Sequence, residues 1–180
     1  MKPNKLFPII FAALVVIAIG GTFILIKSTP KSTQVTPPPV NTPATPRPAP
    51  DFTIKLFSGR TISLKDFRGK TPVVLNFWAS WCPPCRAEAP TLAKVSKRYE
   101  GKVKFLGIAI NDTRADSLAF MKEFGISYDN GPDQSNIGAS YGLTGVPETF
   151  WIDKRGQIVG HWIGAIDEAN LTARTEELSR

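Results

Sequence analysis

The chain has 180 residues and carries 22 lysines and arginines against 15 acids, a formal net charge of +7. That excess sits in residues 1–50, which hold Lys2, Lys5, Lys27, Lys31 and Arg47 and no acid. Residues 51–180 are close to neutral and show no basic stripe with interleaved aromatics, which excludes a nucleic-acid binder.

Leu6 to Ile26 is a stretch of 21 residues without a charge, long enough to cross a bilayer as a helix. Residues 1–27 are therefore expected to form a membrane anchor. The competing reading is a cleaved signal peptide, which has a shorter apolar core followed by a small-x-small site; Lys27-Ser28-Thr29-Pro30 offers none. Residues 28–50 contain Pro30, Pro37, Pro38, Pro39, Pro43, Pro46, Pro48 and Pro50. Such a segment cannot build a core and reads as an extended polyproline II linker, reaching on the order of 70 Å. Residues 51–180 have the size of one domain.

Within that domain Phe52 to Phe57 alternates apolar and polar residues, Ser58-Gly59 marks a turn, and Arg60 to Ser63 completes a hairpin. Leu64 to Phe67 reads as one helical turn closed by Gly69. Val73 to Ala79 is short, apolar and rich in β-formers, the pattern of a buried strand. Arg86 to Tyr99 reads as a helix with an apolar stripe of Leu92, Val95 and Tyr99, and Pro90 is expected to kink it. Val103 to Ile110 is a second buried strand. A helix over Ser117 to Phe124 takes Asp116 as its cap and Gly125 as its stop. Ile137 to Tyr141 is a short helical piece, Thr149 to Ile152 a strand, Asp153 to Gly156 a turn and Gln157 to Ile163 the returning strand. Residues 167–179 form the last helix. The order predicts an α/β fold, a mixed central sheet with helices on both faces.

Between the first buried strand and its helix lies Trp81-Cys82-Pro83-Pro84-Cys85, with the only two cysteines of the chain. This junction puts the first sulfur at a helix N-terminus, where unpaired N–H groups and the helix dipole stabilise a thiolate. The second lies one turn on, within reach of a disulfide. The spacing suits a redox-active dithiol. Half of a zinc site is the competing reading, but such sites usually take four protein ligands, and His161 is the one histidine available. A purely structural disulfide closing so short a loop would restrain little of the unfolded chain.

Phe77-Trp78-Ala79-Ser80-Trp81-Cys82-Pro83-Pro84-Cys85-Arg86 resembles the active-site segment of thioredoxin-fold proteins, and Gly145-Val146-Pro147 resembles their cis-proline loop. The opening Phe52…Gly59…Ile62-x-Leu64-x-x-Phe67-x-Gly69-Lys70 and the insert between Asn111 and Gly142 narrow the resemblance to the membrane-tethered ResA/TlpA/CcmG (DsbE) branch. Gly145-Val146-Pro147-Glu148-Thr149-Phe150 looks most like CcmG. The resemblance implies a thioredoxin-like fold with an N-terminal β-hairpin extension and an insert before the cis-Pro loop. Asn76, six residues before Cys82, departs from soluble thioredoxins, which carry a buried aspartate there. Pro83 and Pro84 stand where ResA proteins place a glutamate.

On this reading Cys82 is the exposed nucleophile, forming a mixed disulfide that Cys85 resolves. Pro83 and Pro84 fix the backbone between the sulfurs and tune the redox couple. Trp81 flanks the site as an apolar platform, with a core tryptophan as the alternative. Pro147 adopts cis and leaves the Val146 backbone free to pair with an extended substrate. Glu148 is the candidate proton shuttle for Cys85, against a solvated loop carboxylate. Glu88 is next in line, although a surface salt bridge is the favoured reading, and His161 is assigned a structural role.

The resemblance implies a membrane-tethered thiol–disulfide reductase on the extracytoplasmic, periplasmic side. It would act on a protein disulfide, in cytochrome c maturation that of apocytochrome c, and be recharged by a membrane thiol donor. Neither metal nor other cofactor is expected beyond the Cys82–Cys85 couple. A disulfide oxidase or isomerase uses the same chemistry, with direction set by potential. A peroxiredoxin-like peroxidase shares the hairpin opening but needs a Pro-x-x-x-Thr-x-x-Cys setting that Cys82 lacks. A copper or haem carrier would need an added histidine or methionine ligand.

Overall fold

The computed structural model describes residues 46–180; the expected anchor over 1–27 and the linker up to residue 45 lie outside the described residues. In chain order the strands are β1 (Arg47–Pro48), β2 (Thr53–Lys55), β3 (Thr61–Ser63), β4 (Val73–Trp78), β5 (Lys104–Ala109), β6 (Asp129–Pro132), β7 (Glu148–Ile152) and β8 (Gln157–Ile163). The helices are α1 (Pro83–Arg98), α2 (Arg114–Glu123), α3 (Ile137–Tyr141) and α4 (Glu168–Ser179), with a 3-10 turn at Leu64–Phe67. Six strands form one sheet in the order β1-β8-β7-β4-β5-β6, and β2 pairs with β3 as a separate hairpin. β4, β5 and β6 run parallel, whereas β7, β8 and β1 join in antiparallel steps. Among the described residues no helix is long and apolar enough to cross a membrane.

Every residue of β4 is buried, as a central strand covered on both faces requires. Its side chains alternate with the pleat. Val73, Leu75 and Phe77 join Phe52, Ile54, Leu64, Ile137 and Tyr141 in the core under the hairpin and α3. Val74 and Trp78 face the layer of α1, α2 and α4, packed with Leu92, Val95, Phe120 and Leu171. Asn76 shares this second face, and so meets α1.

The structure extends the sequence reading in several places. α1 begins at Pro83, not Arg86, and runs through the exposed Pro90 to Arg98. α2 begins at Arg114 with Thr113 as its cap, not Asp116: Thr113 Oγ1 accepts the Asp116 N–H at 3.1 Å, leaving Asp116 in the first turn where its charge suits the dipole. β6 is built from Asp129-Asn130-Gly131-Pro132, turn-formers with no strand signature, held by parallel pairing to β5. β1 comes from the end of the proline-rich segment. Ala49 donates its N–H to the Gly156 carbonyl at 2.9 Å while Pro48 lies opposite Gln157, the position on an edge strand that calls for no N–H.

Candidate active site

β4 ends at Trp78 and α1 begins at Pro83, so the four intervening residues turn the chain above the edge of the sheet. That turn is clamped from the loop after β5. Asp112 accepts both the N–H and the hydroxyl of Ser80, each at 2.8 Å, and the Asn111 carbonyl accepts the Trp81 indole N–H at 3.1 Å. Asn111 holds a positive φ of 46° to present that carbonyl, a conformation asparagine tolerates better than most residues. Beneath the turn the Trp78 indole donates to Asn130 Oδ1 at 2.9 Å and stacks on Phe120. Gly107 makes this possible, since a Cβ there would stand 1.8 Å from Asn130 Oδ1. Arg86, next to the second cysteine, pairs with Glu123 and lies over the rings of Phe120 and Phe124, tying α1 to α2.

Cys82 and Cys85 form a disulfide. Cys82 is the N-cap of α1, and its sulfur takes the place of a capping oxygen by accepting the Cys85 N–H at 3.2 Å. Pro83 and Pro84 occupy the first positions of the helix, where missing N–H groups cost least. The Val146–Pro147 bond is cis, and the Val146 carbonyl oxygen lies 3.5 Å from Cys82 Sγ. The expectation of an exposed Cys82 does not hold: Cys82 is 2% accessible and Cys85 1%, because α1, the Val146 loop and the cluster around Ala79 and Phe120 close over them. Trp81 is the exposed member of the motif, at 60%, which rules out its reading as a core residue.

Two carboxylates near this site are buried, and neither sits where the sequence reading put it. Glu88 is not a surface ion-pair residue. It is 2% accessible and, three residues after Cys85, shares its helix face. Asn76 Nδ2 donates to Glu88 Oε1 and to Thr149 Oγ1, both at 3.0 Å, and the Ile166 N–H donates to Oε2 at 3.0 Å. Burial raises its pKa from 4.5 to about 7, the two hydrogen bonds only partly offsetting that rise. Cys85, Glu88, Asn76 and Trp78 line one cavity with no room for a water molecule. Asn76 Oδ1 is buried there without a hydrogen-bond partner.

Glu148 was expected beside Cys85 as a proton shuttle, or else solvated. It is fully buried, and its carboxylate is occupied elsewhere. Oε1 accepts the Thr144 N–H at 2.8 Å, the Thr144 hydroxyl at 2.7 Å and the Gly145 N–H at 3.1 Å, while His161 Nε2 lies 2.7 Å from Oε2. Its geometry is that of a brace for the loop carrying Val146 and Pro147. The structure thus brings together Cys82, Cys85, Val146 and Pro147, leaves Trp81 at the rim, and sets Glu148 behind the loop. Ser80 and Asp112 are contributions the sequence reading missed, and His161, given a structural role there, braces this loop through Glu148.

A helix-capping disulfide opposed by a cis-proline loop, with a carboxylic acid buried beneath, is a site for thiol–disulfide exchange. Comparison with known proteins agrees. The AhpC/TSA family model matches residues 46–161. The thiol:disulfide interchange protein DsbE of Pseudomonas fluorescens biotype C is 38% identical over 125 residues, covering 68% of each chain. The thiol-disulfide oxidoreductase ResA of Bacillus thuringiensis (strain Al Hakam) is 33% identical over 133 residues, covering 73% of this chain and 76% of the relative. Among solved structures, a thioredoxin-family thiol:disulfide interchange protein from Chlorobium tepidum TLS superposes with a TM-score of 0.70 at 29% identity, covering 77% of this chain and 99% of that one. The chain therefore belongs to the AhpC/TSA family, as a thioredoxin-like thiol–disulfide oxidoreductase of the ResA/DsbE type whose redox couple is Cys82–Cys85.

Proposed function

We propose that this oxidoreductase works as a reductase of protein disulfides outside the cytoplasm, tethered by residues 1–27, and that its substrates include apocytochrome c. The observation that carries the exchange chemistry is the placing of Cys82 Sγ between the Cys85 N–H, at 3.2 Å, and the Val146 carbonyl, at 3.5 Å. The first contact favours negative charge on that sulfur in the reduced form. The second sets the Val146 backbone beside it, where an extended substrate segment can add as a strand. Tethering is supported by the uncharged run Leu6 to Ile26, and the cytochrome role by the likeness of the Gly145 to Phe150 segment to CcmG.

In the reaction, the Cys82 thiolate attacks a substrate disulfide and displaces one substrate thiolate. Cys85 then gives up its proton and attacks Cys82 Sγ, forming the internal disulfide and releasing the second substrate thiolate. Glu88 takes that proton: it shares the helix face and the cavity with Cys85, and its pKa of about 7 matches the task. A redox titration against defined thiol–disulfide buffers tests the direction. A potential near or below about −270 mV supports a reductase, and one approaching about −120 mV makes the protein a disulfide donor and removes the cytochrome reading.

A further inference from the structure

We propose that His161 is a positioning residue for substrate capture: through Glu148 it holds the Thr144–Val146 backbone in the place where a substrate strand meets the dithiol. The inference rests on the reading of Val146 as the substrate-pairing backbone. It begins with strand register. β7 and β8 pair Phe150 with His161 and Glu148 with Ile163, which makes His161 the diagonal neighbour of Glu148 on one face of the sheet. The imidazole lies flat on the Phe150 ring, centroids 4.0 Å apart and planes 10° from parallel. That stacking fixes the ring plane and aims Nε2 at Glu148 Oε2, 2.7 Å away.

Glu148 has no access to water, so each of its oxygens depends on a protein donor. Oε1 has three, all from Thr144 and Gly145. The contact at Oε2 comes from the neighbouring strand, by an imidazole that is itself 20% exposed. Thr144, Gly145 and Val146 belong to no helix or strand, and the first two direct their N–H groups to this carboxylate. A continuous set of contacts thus runs from Phe150 through His161 and Glu148 to the loop whose next residue puts its carbonyl 3.5 Å from Cys82 Sγ. Removing the imidazole frees Oε2, lets the carboxylate turn toward a new donor, and releases the loop. Binding of an extended substrate suffers, while sulfur chemistry on bound substrate does not.

The test uses the full-length protein, insulin as the disulfide probe and dithiothreitol as the recycling reductant, with KM and kcat measured separately. His161→Leu is expected to raise KM for insulin about tenfold with kcat within about twofold, and to leave the reduction potential of the dithiol unmoved. His161→Gln keeps an N–H donor and is expected to retain most of the wild-type KM. Glu148→Gln is expected to raise KM as His161→Leu does, and the double variant to be no worse than either single one, since the two act as one unit. An unchanged KM in His161→Leu, equal losses in the Leu and Gln variants, or additive losses in the double variant would each overturn the inference while wild-type turnover leaves the oxidoreductase reading intact. Failure of the wild type to reduce insulin would overturn the reading of Val146 as a substrate-pairing backbone, and the inference with it, and leave the Cys82–Cys85 oxidoreductase standing. If His161→Leu does not fold, His161→Gln and Glu148→Gln carry the same test with opposite expected outcomes.

Discussion

Replacing Glu88 by glutamine separates the cost of a buried charge from the value of its hydrogen bonds. In the unfolded chain this carboxyl ionises at its ordinary value of 4.5, and in the fold only near 7, chiefly because burial disfavours the anion. Below pH 4.5 both states hold the proton and the full stability is present. As pH rises through 7 the unfolded state has already released its proton, and stability is lost. At about 1.4 kcal/mol per pKa unit the whole loss is about 3 kcal/mol, complete by about pH 8. Glutamine never ionises, but it sets an amide NH2 where one of the two carboxyl oxygens accepts, opposite either Asn76 Nδ2 or the Ile166 N–H. That mismatch costs about 1–3 kcal/mol at every pH. Urea unfolding of the oxidised full-length protein at a series of pH values reads both quantities. Glu88→Gln is expected to be less stable than wild type at pH 4.5, and the gap is expected to close, or the order to reverse, by pH 8. Parallel stability curves for the two proteins would refute the reasoning, because they would mean that Glu88 ionises in the fold as it does in the unfolded chain.

Cys85→Ser is expected to trap Cys82 in a mixed disulfide with a protein substrate, visible as a heavier band on a non-reducing gel, and Cys82→Ser to give none; the opposite pattern would exchange the two roles. Gly107→Ala places a methyl group 1.8 Å from Asn130 Oδ1 and 2.8 Å from Trp78 Nε1, so it is expected to cost about 3 kcal/mol in denaturant unfolding. A loss below about 1 kcal/mol would show that the floor under the dithiol yields easily. Asp112→Ala strips the acceptor from the Ser80 N–H and hydroxyl and is expected to lower stability by about 1–3 kcal/mol, whereas Asp112→Asn, with one oxygen retained, is expected to lose less.

The hairpin, the strand β4 and the dithiol at the head of α1 were legible because each carries a local signal: alternation over Phe52 to Phe57, an apolar run from Val73 to Trp78 interrupted only by Asn76, and two cysteines one helical turn apart. β6 had no such signal. Asp129-Asn130-Gly131-Pro132 is turn chemistry by composition, and only the bonds offered by β5 make it a strand. The burial of Glu88 was present in the sequence but overruled by its charge. Cys85, Glu88, Leu92, Val95 and Tyr99 recur at helical spacing, so the carboxyl belongs to the apolar stripe, and a carboxyl on such a stripe is a buried acid in need of donors. Those donors, Asn76 and Ile166, lie 12 and 78 residues away, beyond any local pattern. The Glu148–His161 contact was hidden for a similar reason. It depends on the β7–β8 register, whose shift between Trp151 and Ile152 no residue count across the Asp153 to Gly156 turn reveals.

The near-complete enclosure of the disulfide sets a kinetic filter on what it reacts with. Exchange requires an incoming thiolate to reach a sulfur, and Cys82 and Cys85 leave 2% and 1% of their surfaces open. A freely diffusing thiol meets a wall of Val146 and α1 and gains no contact energy there, so it reacts only when supplied in large excess, as dithiothreitol is in the insulin assay. A partner whose backbone binds at Val146 brings its own thiolate to the same place and gains contact energy as it does so. Electrons would then pass quickly between cognate proteins and slowly to bystanders, so the couple can hold a potential different from that of its surroundings without being drained by them.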